Sequence, residues 1–528
     1  MNRNKDGSAG PPHPTEPVAV VSPRQLDRAA GVLLAAACGD ALGVPYEFGR
    51  RLSAGEVPAM TGGGLGPYAP GEYSDDTQMA VCIARVAATG ADLRTEDALD
   101  AVAAGFLDWA AGGASDIGAQ TSAVLSAARR DRASQPAGAV RQAARALHAR
   151  TGRTAGNGSL MRTGVVALAY LEDLDGLAEA ARAVSDLTHP DPLAGDACVL
   201  WCAAIRHAVL HATFDGVREA LALIPAERRD RWASWISEAE TADPGRFSPN
   251  GFVVPALQAA WSAISQTPVP GQDPAAGSFA CLHLQDALAA AVRIGNDTDT
   301  VAAIAGALLG ARWGASAVPV SWLRVVHGWP GLRAADLIRL AVLTASGGRD
   351  DARGWPSALH RPLLAARVTT PAAHPSDDEV ILGSLGMSIP NAAAVVSLCQ
   401  VGREDFAAVP AGDRIEVWLV DHPGDNNQPH FVIDQAAGAV AQLRAEGKRV
   451  FLHCLAGQSR TPTVAARYAA ITSGTSPADA YRDVCAALGS PLTLVNPELR
   501  AAVYELAGQP APPPDPGTKH PDWAGQRP

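Results

Sequence analysis

Two groups of side-chain oxygens carry the most distinctive chemistry in this chain of 528 residues. Ser74, Asp75 and Asp76 stand together at the head of one apolar run. Asp297, Asp299 and Thr300 stand at the head of another, in Gly295-Asn296-Asp297-Thr298-Asp299-Thr300. A single Asp in a first helical turn is ordinary, since it caps the helix and suits the helix dipole. Two adjacent carboxylates repel each other. A hard divalent cation resolves that repulsion, because Mg²⁺ and similar ions take oxygen ligands. Capping and metal binding are both open for either cluster alone; two such clusters in one domain favour a binuclear centre. Asp297 and Asp299 can face one site only if the chain there is a turn and not a helix.

Other polar segments fit the same neighbourhood. Cys38-Gly39-Asp40-Ala41-Leu42-Gly43-Val44-Pro45-Tyr46-Glu47-Phe48 ends a helical run in a glycine-bearing turn that carries Glu47. Gly156-Asn157-Gly158-Ser159-Leu160-Met161-Arg162 is a flexible loop leading into a helix. Its backbone N–H groups would suit a diphosphate, and an ordinary turn is the competing reading. His189, in Thr188-His189-Pro190-Asp191, fits a substrate contact or a structural histidine at a helix end equally well.

A second chemistry stands near the other end of the chain. Val450-Phe451-Leu452-His453-Cys454-Leu455-Ala456-Gly457-Gln458-Ser459-Arg460-Thr461 follows a short β run and opens a helix. A thiolate ringed by backbone N–H groups at a helix N-terminus is a strong nucleophile. Arg460 can return to the same loop and clamp a phosphate bidentately. The chemistry is attack on phosphorus to form a phosphocysteine. Asp421, on the loop after the strand expected at 414–420, is the candidate general acid, and Asn426 and Asn427 shape that loop.

These residues need two kinds of scaffold. From 25 to 346 the chain is a series of Ala/Leu/Val segments with helical spacing, among them 25–42, 77–89, 95–111, 137–149, 175–187, 194–212 and 299–314. Strand-like runs are nearly absent, so the expectation is an all-α N-terminal domain over 25–347, with a disordered leader at 1–24. After a linker at 348–375 the texture changes. Short β runs at 379–382, 394–398, 414–420 and 449–453 alternate with helical stretches at 429–446, 462–473, 476–488 and 497–507. That alternation predicts an α/β domain over 376–508, followed by a disordered tail at 509–528.

The bulk numbers exclude several classes. A formal net charge of -11 leaves no excess of cations to displace counterions, which argues against nucleic acid and anionic membranes as partners. The Ala-rich runs at 29–38 and 301–311 are too short for a bilayer and stop at Asp40 and Arg312. The N-terminus lacks the apolar stretch of a signal peptide. Eight scattered cysteines do not make a disulfide framework, so a reducing cytoplasm is the expected location.

Taken in order, GDALGVPYEF, EYSDDTQMA, GNGSLMR, SDLTHPDPLAGDA and GNDTDTVAAIAGALLGA resemble the ADP-ribosylglycohydrolase family, which includes the bacterial enzyme that reactivates dinitrogenase reductase. The resemblance spans about residues 24–347. It implies an all-α fold and two Mg²⁺ or Mn²⁺ ions. By that resemblance Ser74, Asp75 and Asp76 hold the first ion, and Asp297, Asp299 and Thr300 supply the second, with Asp299 bridging. Glu47 sits on a mobile segment and gates the site or orients water. The 156–162 loop, with Asp116-Ile117-Gly118, holds the diphosphate and ribose. The implied reaction is hydrolysis at C1 of the distal ribose, with Glu47 or one of the Asp residues taking the proton. The partner is an ADP-ribosylated protein or a small ADP-ribose conjugate.

The segment from about 376 to 508 resembles dual-specificity protein phosphatases, on the strength of HCLAGQSRTPT and the place of Asp421. That implies a phosphorylated substrate, no cofactor, Gly457 and Ser459 lining the anion loop, and Thr461 helping the thiolate to leave. Three functions follow: a bifunctional enzyme, a glycohydrolase with a non-catalytic phosphate-binding module, or a metal-stabilised scaffold without turnover. The full set of Ser, Asp and Thr oxygens counts against the third.

Overall fold

The computed structural model describes residues 21–112, 114–131, 135–350, 367–387, 389, 391–402 and 404–513. Most of the leader and most of the tail expected at the two ends therefore lie outside the described residues. The N-terminal part is helical, apart from a two-residue ribbon pairing His327–Gly328 with Leu332–Arg333. Its site rests on four helices: α1 (Pro23–Gly43), α2 (Asp75–Ala87), α3 (Pro192–His211) and α4 (Thr298–Trp313).

Helix α1 begins two residues before the expected start. Ser22 and Gln25 form a reciprocal capping box there, and Pro23 sits in the first turn, where its missing N–H costs nothing. It runs to Gly43, one residue past the expected end, so that Asp40 lies on a buried face of its last turn. With the turn that follows it, α1 is long and apolar enough to cross a bilayer, and so is α3. Both are instead packed inside the fold, with 89% and 78% of their most apolar windows buried.

Helices α1 and α4 run antiparallel in direct backbone contact. A Cβ on Gly310 would fall 2.0 Å from the Gly31 carbonyl oxygen. One on Gly306 would fall 2.3 Å from the Ala35 oxygen, and one on Gly39 2.2 Å from the Ala302 oxygen. At the far end a Cβ on Gly43 would lie 2.4 Å from the Asp299 nitrogen. This row of small residues brings the end of α1 against the start of α4.

The C-terminal part is an α/β domain. Its five strands are β1 (Ala372–His374), β2 (Asp377–Ser384), β3 (Ala394–Ser397), β4 (Arg414–Glu416) and β5 (Val450–Cys454), in the order β1-β2-β5-β3-β4. Only β1–β2 is antiparallel. Helices α5 (Pro429–Ala445) and α6 (Arg460–Ser473) flank the sheet. Two expectations need correction. The segment 372–374 was expected in the linker but pairs with β2, and Val368 N–H already bonds the Ala456 carbonyl at 2.9 Å, so the domain starts before 376. The strand expected at 414–420 ends at Glu416; beyond Val417, which still bonds Ser397, the chain leaves the ladder to build the loop carrying Asp421.

The two parts share one apolar core. The rings of Phe279 and Phe431 meet edge-on, 5.5 Å apart, and Arg324 bonds both Asp413 and Glu446 across the boundary.

The α1–α4 contact is open to test. Gly310→Ala is expected to cost about 1–3 kcal/mol as an overpacking change and to lower the melting temperature by several degrees. Gly138→Ala, whose Cβ would meet only the Gln135 Cβ at 3.8 Å, is the control and is expected to leave it unchanged or slightly raised. Equal melting of both variants by differential scanning calorimetry would refute the close-contact account.

Candidate functional site

Three segments converge where α1 ends and α2 and α4 begin. Asp297 is the residue just before α4, with φ −85° and ψ 77°, so the chain turns there and Asp299 enters the first helical turn. The condition set by their spacing is met: ligand oxygens of Asp297, Asp299 and Glu47 lie within 4.8 Å of one another, as do those of Asp40, Asp76 and Asp299. The Ser74 hydroxyl lies between two carboxylates, 3.0 Å from Asp76 Oδ2 and 3.2 Å from Asp299 Oδ2. Ser74 precedes α2 but makes no side-chain cap bond to it. Capping therefore does not explain this cluster.

Asp40 was read from the sequence only as the end of an Ala-rich run, and here it organises the first cluster. Its carboxylate accepts from Ser74 N–H at 2.7 Å, Thr77 N–H at 3.0 Å and the Thr77 hydroxyl at 2.6 Å. The available signal was a lone carboxylate in an otherwise apolar helix face, a residue type almost never fully buried unless paired. Asn250 was also missed. It accepts from Asp297 N–H at 3.0 Å, and Asn157 Nδ2 reaches both the Asn250 carbonyl and Asp297 Oδ2, at 3.1 and 2.7 Å. Nothing in its local sequence marked it.

Electrostatics make the cluster a poor resting place for bare charge. Burial, reinforced by the charges of Asp297, Asp116, Asp75 and Asp40, pushes the Glu47 carboxyl up to about 8. Burial and the charges of Asp40, Asp116 and Asp297 raise Asp75 to about 8, and burial raises Asp40 to about 6. Asp76 is pushed well above the ordinary range by burial and by the charges of Asp40, Asp75 and Asp297, and Asp299 by burial and by the charges of Asp76, Glu47 and Asp297. Asp76 Oδ1 is buried without a hydrogen-bond partner. A donor set made only of carboxylate and hydroxyl oxygens, one of them orphaned, fits hard divalent cations.

A cleft of about 450 Å³ opens beside these carboxylates. Of the expected substrate-binding residues, Asp116, Gly118, Gly156, Asn157, Gly158, Met161 and His189 line it, together with Glu47, Asp75, Asp297 and Thr300. Ser159 and Arg162 do not. Ser159 is fully buried against Ser185, and the Arg162 guanidinium, also buried, lies over the Phe106 ring and donates to Thr188 at 2.6 Å. Both side chains turn inward as the loop winds into helix at Leu160. Burial and the Arg162 charge hold His189 well below the ordinary histidine range, so it is neutral. Its ring abuts the glycine loop, 3.1 Å from where a Cβ on Gly158 would sit. The Glu47 segment is tied down at its end, where Phe48 N–H bonds the Asn296 carbonyl at 2.7 Å.

In the C-terminal part Cys454 ends the central strand β5 and Arg460 starts α6. Gly457 N–H points at Cys454 Sγ at 3.2 Å, and Gly457, at φ 76°, closes the loop. Burial works against the Arg460 cation, yet the charges of Cys454 and Asp421 outweigh it and hold its pKa above the ordinary value. Its Nη1 is anchored by the Leu398 and Leu419 carbonyls at 2.7 and 3.0 Å. Asp421 Oδ1 accepts from the Ser459 hydroxyl at 2.5 Å, and Oδ2 lies 3.7 Å from Arg460 Nε. The Thr461 hydroxyl is directed to the Gly383 carbonyl at 3.3 Å.

The buried acids set a pH signature. A carboxyl whose folded pKa lies above its unfolded value holds a proton that the unfolded chain has lost, so stability falls as pH rises from about 4 through the folded pKa. In EDTA the melting temperature is expected to fall between pH 5 and 8. Mn²⁺ or Mg²⁺ binds the ionised acids, so its stabilising increment is expected to be larger at pH 8 than at pH 6. An increment equal at both pH values, or absent, would contradict the metal reading.

Comparison with known proteins agrees with this geometry in the N-terminal part. A sequence model described as ADP-ribosylglycohydrolase matches residues 21–352. The ADP-ribosylarginine hydrolase Tri1 of Pseudomonas putida is 29% identical over 310 residues, covering 58% of this chain and 76% of the relative. The ADP-ribosyl-[dinitrogen reductase] glycohydrolase of Rhodospirillum rubrum is 26% identical over 317 residues, covering 58% and 92%. The crystal structure of human DUSP28 is 19% identical with a TM-score of 0.23, covering 27% of this chain and 97% of that one, too slight a likeness to argue from. With the family match spanning most of its length, and with both acidic clusters inside that match, the chain belongs to the ADP-ribosylglycohydrolase family.

Proposed function

We propose that the N-terminal domain is a binuclear-metal hydrolase that releases ADP-ribose from modified side chains of proteins, with arginine as the first linkage to test. The carrying observation is the orphaned oxygen of Asp76 within a buried Asp40–Asp76–Asp299 cluster, which Asp299 joins to the cleft-lining Glu47 and Asp297. The arginine linkage is the one named for the Pseudomonas putida relative. Small ADP-ribose conjugates remain the alternative substrates.

Ser74, Asp75, Asp76, Asp297, Asp299 and Thr300 would hold two Mg²⁺ or Mn²⁺ ions, with Asp299 shared. Bound there, the ions would polarise the ribose and lower the pKa of a water. Asp40 holds Ser74 and the start of α2 from behind. Asn250 and Asn157 fix Asp297 in the same way. The backbone of Gly118 and of Gly156 to Gly158 lines the cleft where a diphosphate would lie, and neutral His189 offers a ring face and not a charge. Glu47, half-buried at the cleft, is placed to take the proton from water as its oxygen bonds to C1. The C1–N bond breaks as the water oxygen bonds to C1, and Glu47 returns the proton it has taken to the departing guanidine nitrogen.

The C-terminal domain is read as a cysteine-dependent phosphomonoesterase, because Gly457 N–H and Arg460 converge on Cys454 and Asp421 lies against Arg460 and Ser459 of the same loop. The thiolate attacks phosphorus and the P–O bond breaks, while Asp421 protonates the leaving oxygen. Water then attacks the phosphocysteine, giving its proton to Asp421 and releasing phosphate. A module that binds phosphate without turnover is the competing reading. The scattered cysteines support a cytoplasmic setting for both activities.

ADP-ribose release from mono-ADP-ribosylated arginine peptides is expected to need Mg²⁺ or Mn²⁺, to stop in EDTA, and to fall at least about 100-fold in Asp299→Ala. Serine-linked peptides serve as the comparison. Release that survives EDTA would remove the metal from the mechanism.

Separately, Cys454→Ser is expected to abolish phosphomonoester hydrolysis while leaving ADP-ribose release intact. Binding of inorganic phosphate by a wild-type protein that turns over no phosphoester would favour the non-catalytic module.

A further inference from the structure

The loop from Val417 to Gln428 carries Asp421 between β4 and α5, and three consecutive side chains at its end tie it down. Asn426 clasps the residue just before the acid: its Oδ1 accepts from Val420 N–H at 2.8 Å and its Nδ2 donates to the Val420 carbonyl at 2.9 Å. Asn427 reaches into the other domain. Its Nδ2 donates to Asp27 Oδ2 at 2.7 Å and to the Arg24 carbonyl at 2.9 Å, and its Oδ1 accepts from Arg28 Nη1 at 3.1 Å. Gln428 donates to the Trp313 carbonyl at the end of α4, at 3.2 Å.

The receiving groups are themselves fixed. Asp27 is fully buried and also accepts from Ser316 N–H and hydroxyl, at 2.9 and 2.6 Å. Arg28 Nε is held by the Val209 carbonyl at 2.7 Å. The bonding groups of Asn427 therefore meet rigid partners on the first turn of α1. Inside its own domain the loop is held by Gly424 N–H, which bonds Glu498 at 2.8 Å, and by Asp421 Oδ1, which accepts from the Ser459 hydroxyl at 2.5 Å.

We infer that the glycohydrolase domain is a working part of the Cys454 site, with Asn427 a positioning residue that holds the Asp421 loop against Asp27 and Arg28. The inference rests on the phosphomonoesterase reading given above. It assigns to the first turn of α1 a role in phosphoester chemistry. The metal cluster lies at the other end of that helix, about 20 Å away at the helical rise of about 1.5 Å per residue.

A positioned acid matters only when the leaving oxygen needs a proton. Full-length wild type, Asp421→Ala and Asn427→Ala are compared on two monoesters, one with an acidic nitrophenol leaving group and one with a basic alcohol leaving group. Asn427→Ala is expected to lower kcat for the alkyl ester about tenfold, part of the 100-fold or more that a positioned acid contributes, with less than about a threefold effect on the nitrophenyl ester. It thus follows Asp421→Ala in pattern at smaller size. Loss of both activities to the same extent, or of neither, overturns the inference. Should Asn427→Ala fail to fold, Asn427→Asp opposes Asp27 with like charge and is expected to show the same selective loss. The double variant Asn427→Asp/Asp27→Asn exchanges donor and acceptor and is expected to recover it; no recovery overturns the inference. A wild type that hydrolyses neither ester removes the phosphomonoesterase reading itself, and the two failures are thereby told apart.

Discussion

Everything at the metal-type cluster depends on two helices touching through their backbones. Ordinary helix pairs lie 8–10 Å apart because side chains keep them there. Along α1 and α4 the contact positions Gly31, Gly39, Gly43, Gly306 and Gly310 leave room for carbonyls to meet Cα atoms directly. Without that approach the last turn of α1 could not set Asp40 beside Asp299, nor could Gly43 receive the start of α4. The Thr298 hydroxyl closes the same corner by donating to the Gly43 carbonyl at 2.8 Å.

Close packing creates an electrostatic problem at the point where it ends. Asp40, Asp75, Asp76, Asp297, Asp299 and Glu47 crowd one corner, and burial there favours the neutral acids. Hydrogen bonds from Ser74, Thr77, Asn157 and backbone N–H groups offset part of this cost. They also fix where each oxygen points. A corner of this composition could hold a metal ion, and metal binding at such a site is coupled to proton release and to stability.

The two parts of the chain also meet through direct packing. The apolar core is continuous between the two parts, and polar contacts cluster where the acid loop meets the first turn of α1. Because α1 spans the N-terminal domain from that contact to the acidic corner, one helix serves both boundaries. The contact with Asn427 and the acidic corner lie at opposite ends of it.

Much was legible in the residue order. Helical period, capping signals and the paired aspartates marked the all-α domain and the acidic clusters at its helix starts. The run Cys454 to Arg460 marked a strand–loop–helix, because local chemistry requires those residues in that order. What the sequence could not determine was which buried face each residue would take. Asp40 looked like the end of an Ala-rich run and proved to be an inward anchor of the helix. Ser159 and Arg162 looked like part of an anion loop and turned into the core. Asn250, and the grip of Asp27 and Arg28 on Asn427, join positions far apart in the chain. Period and motif report neighbours along the backbone. Contacts such as these arise only when helices pack, and their geometry is set by the glycine-lined approach of α1 and α4 and the shared core between domains.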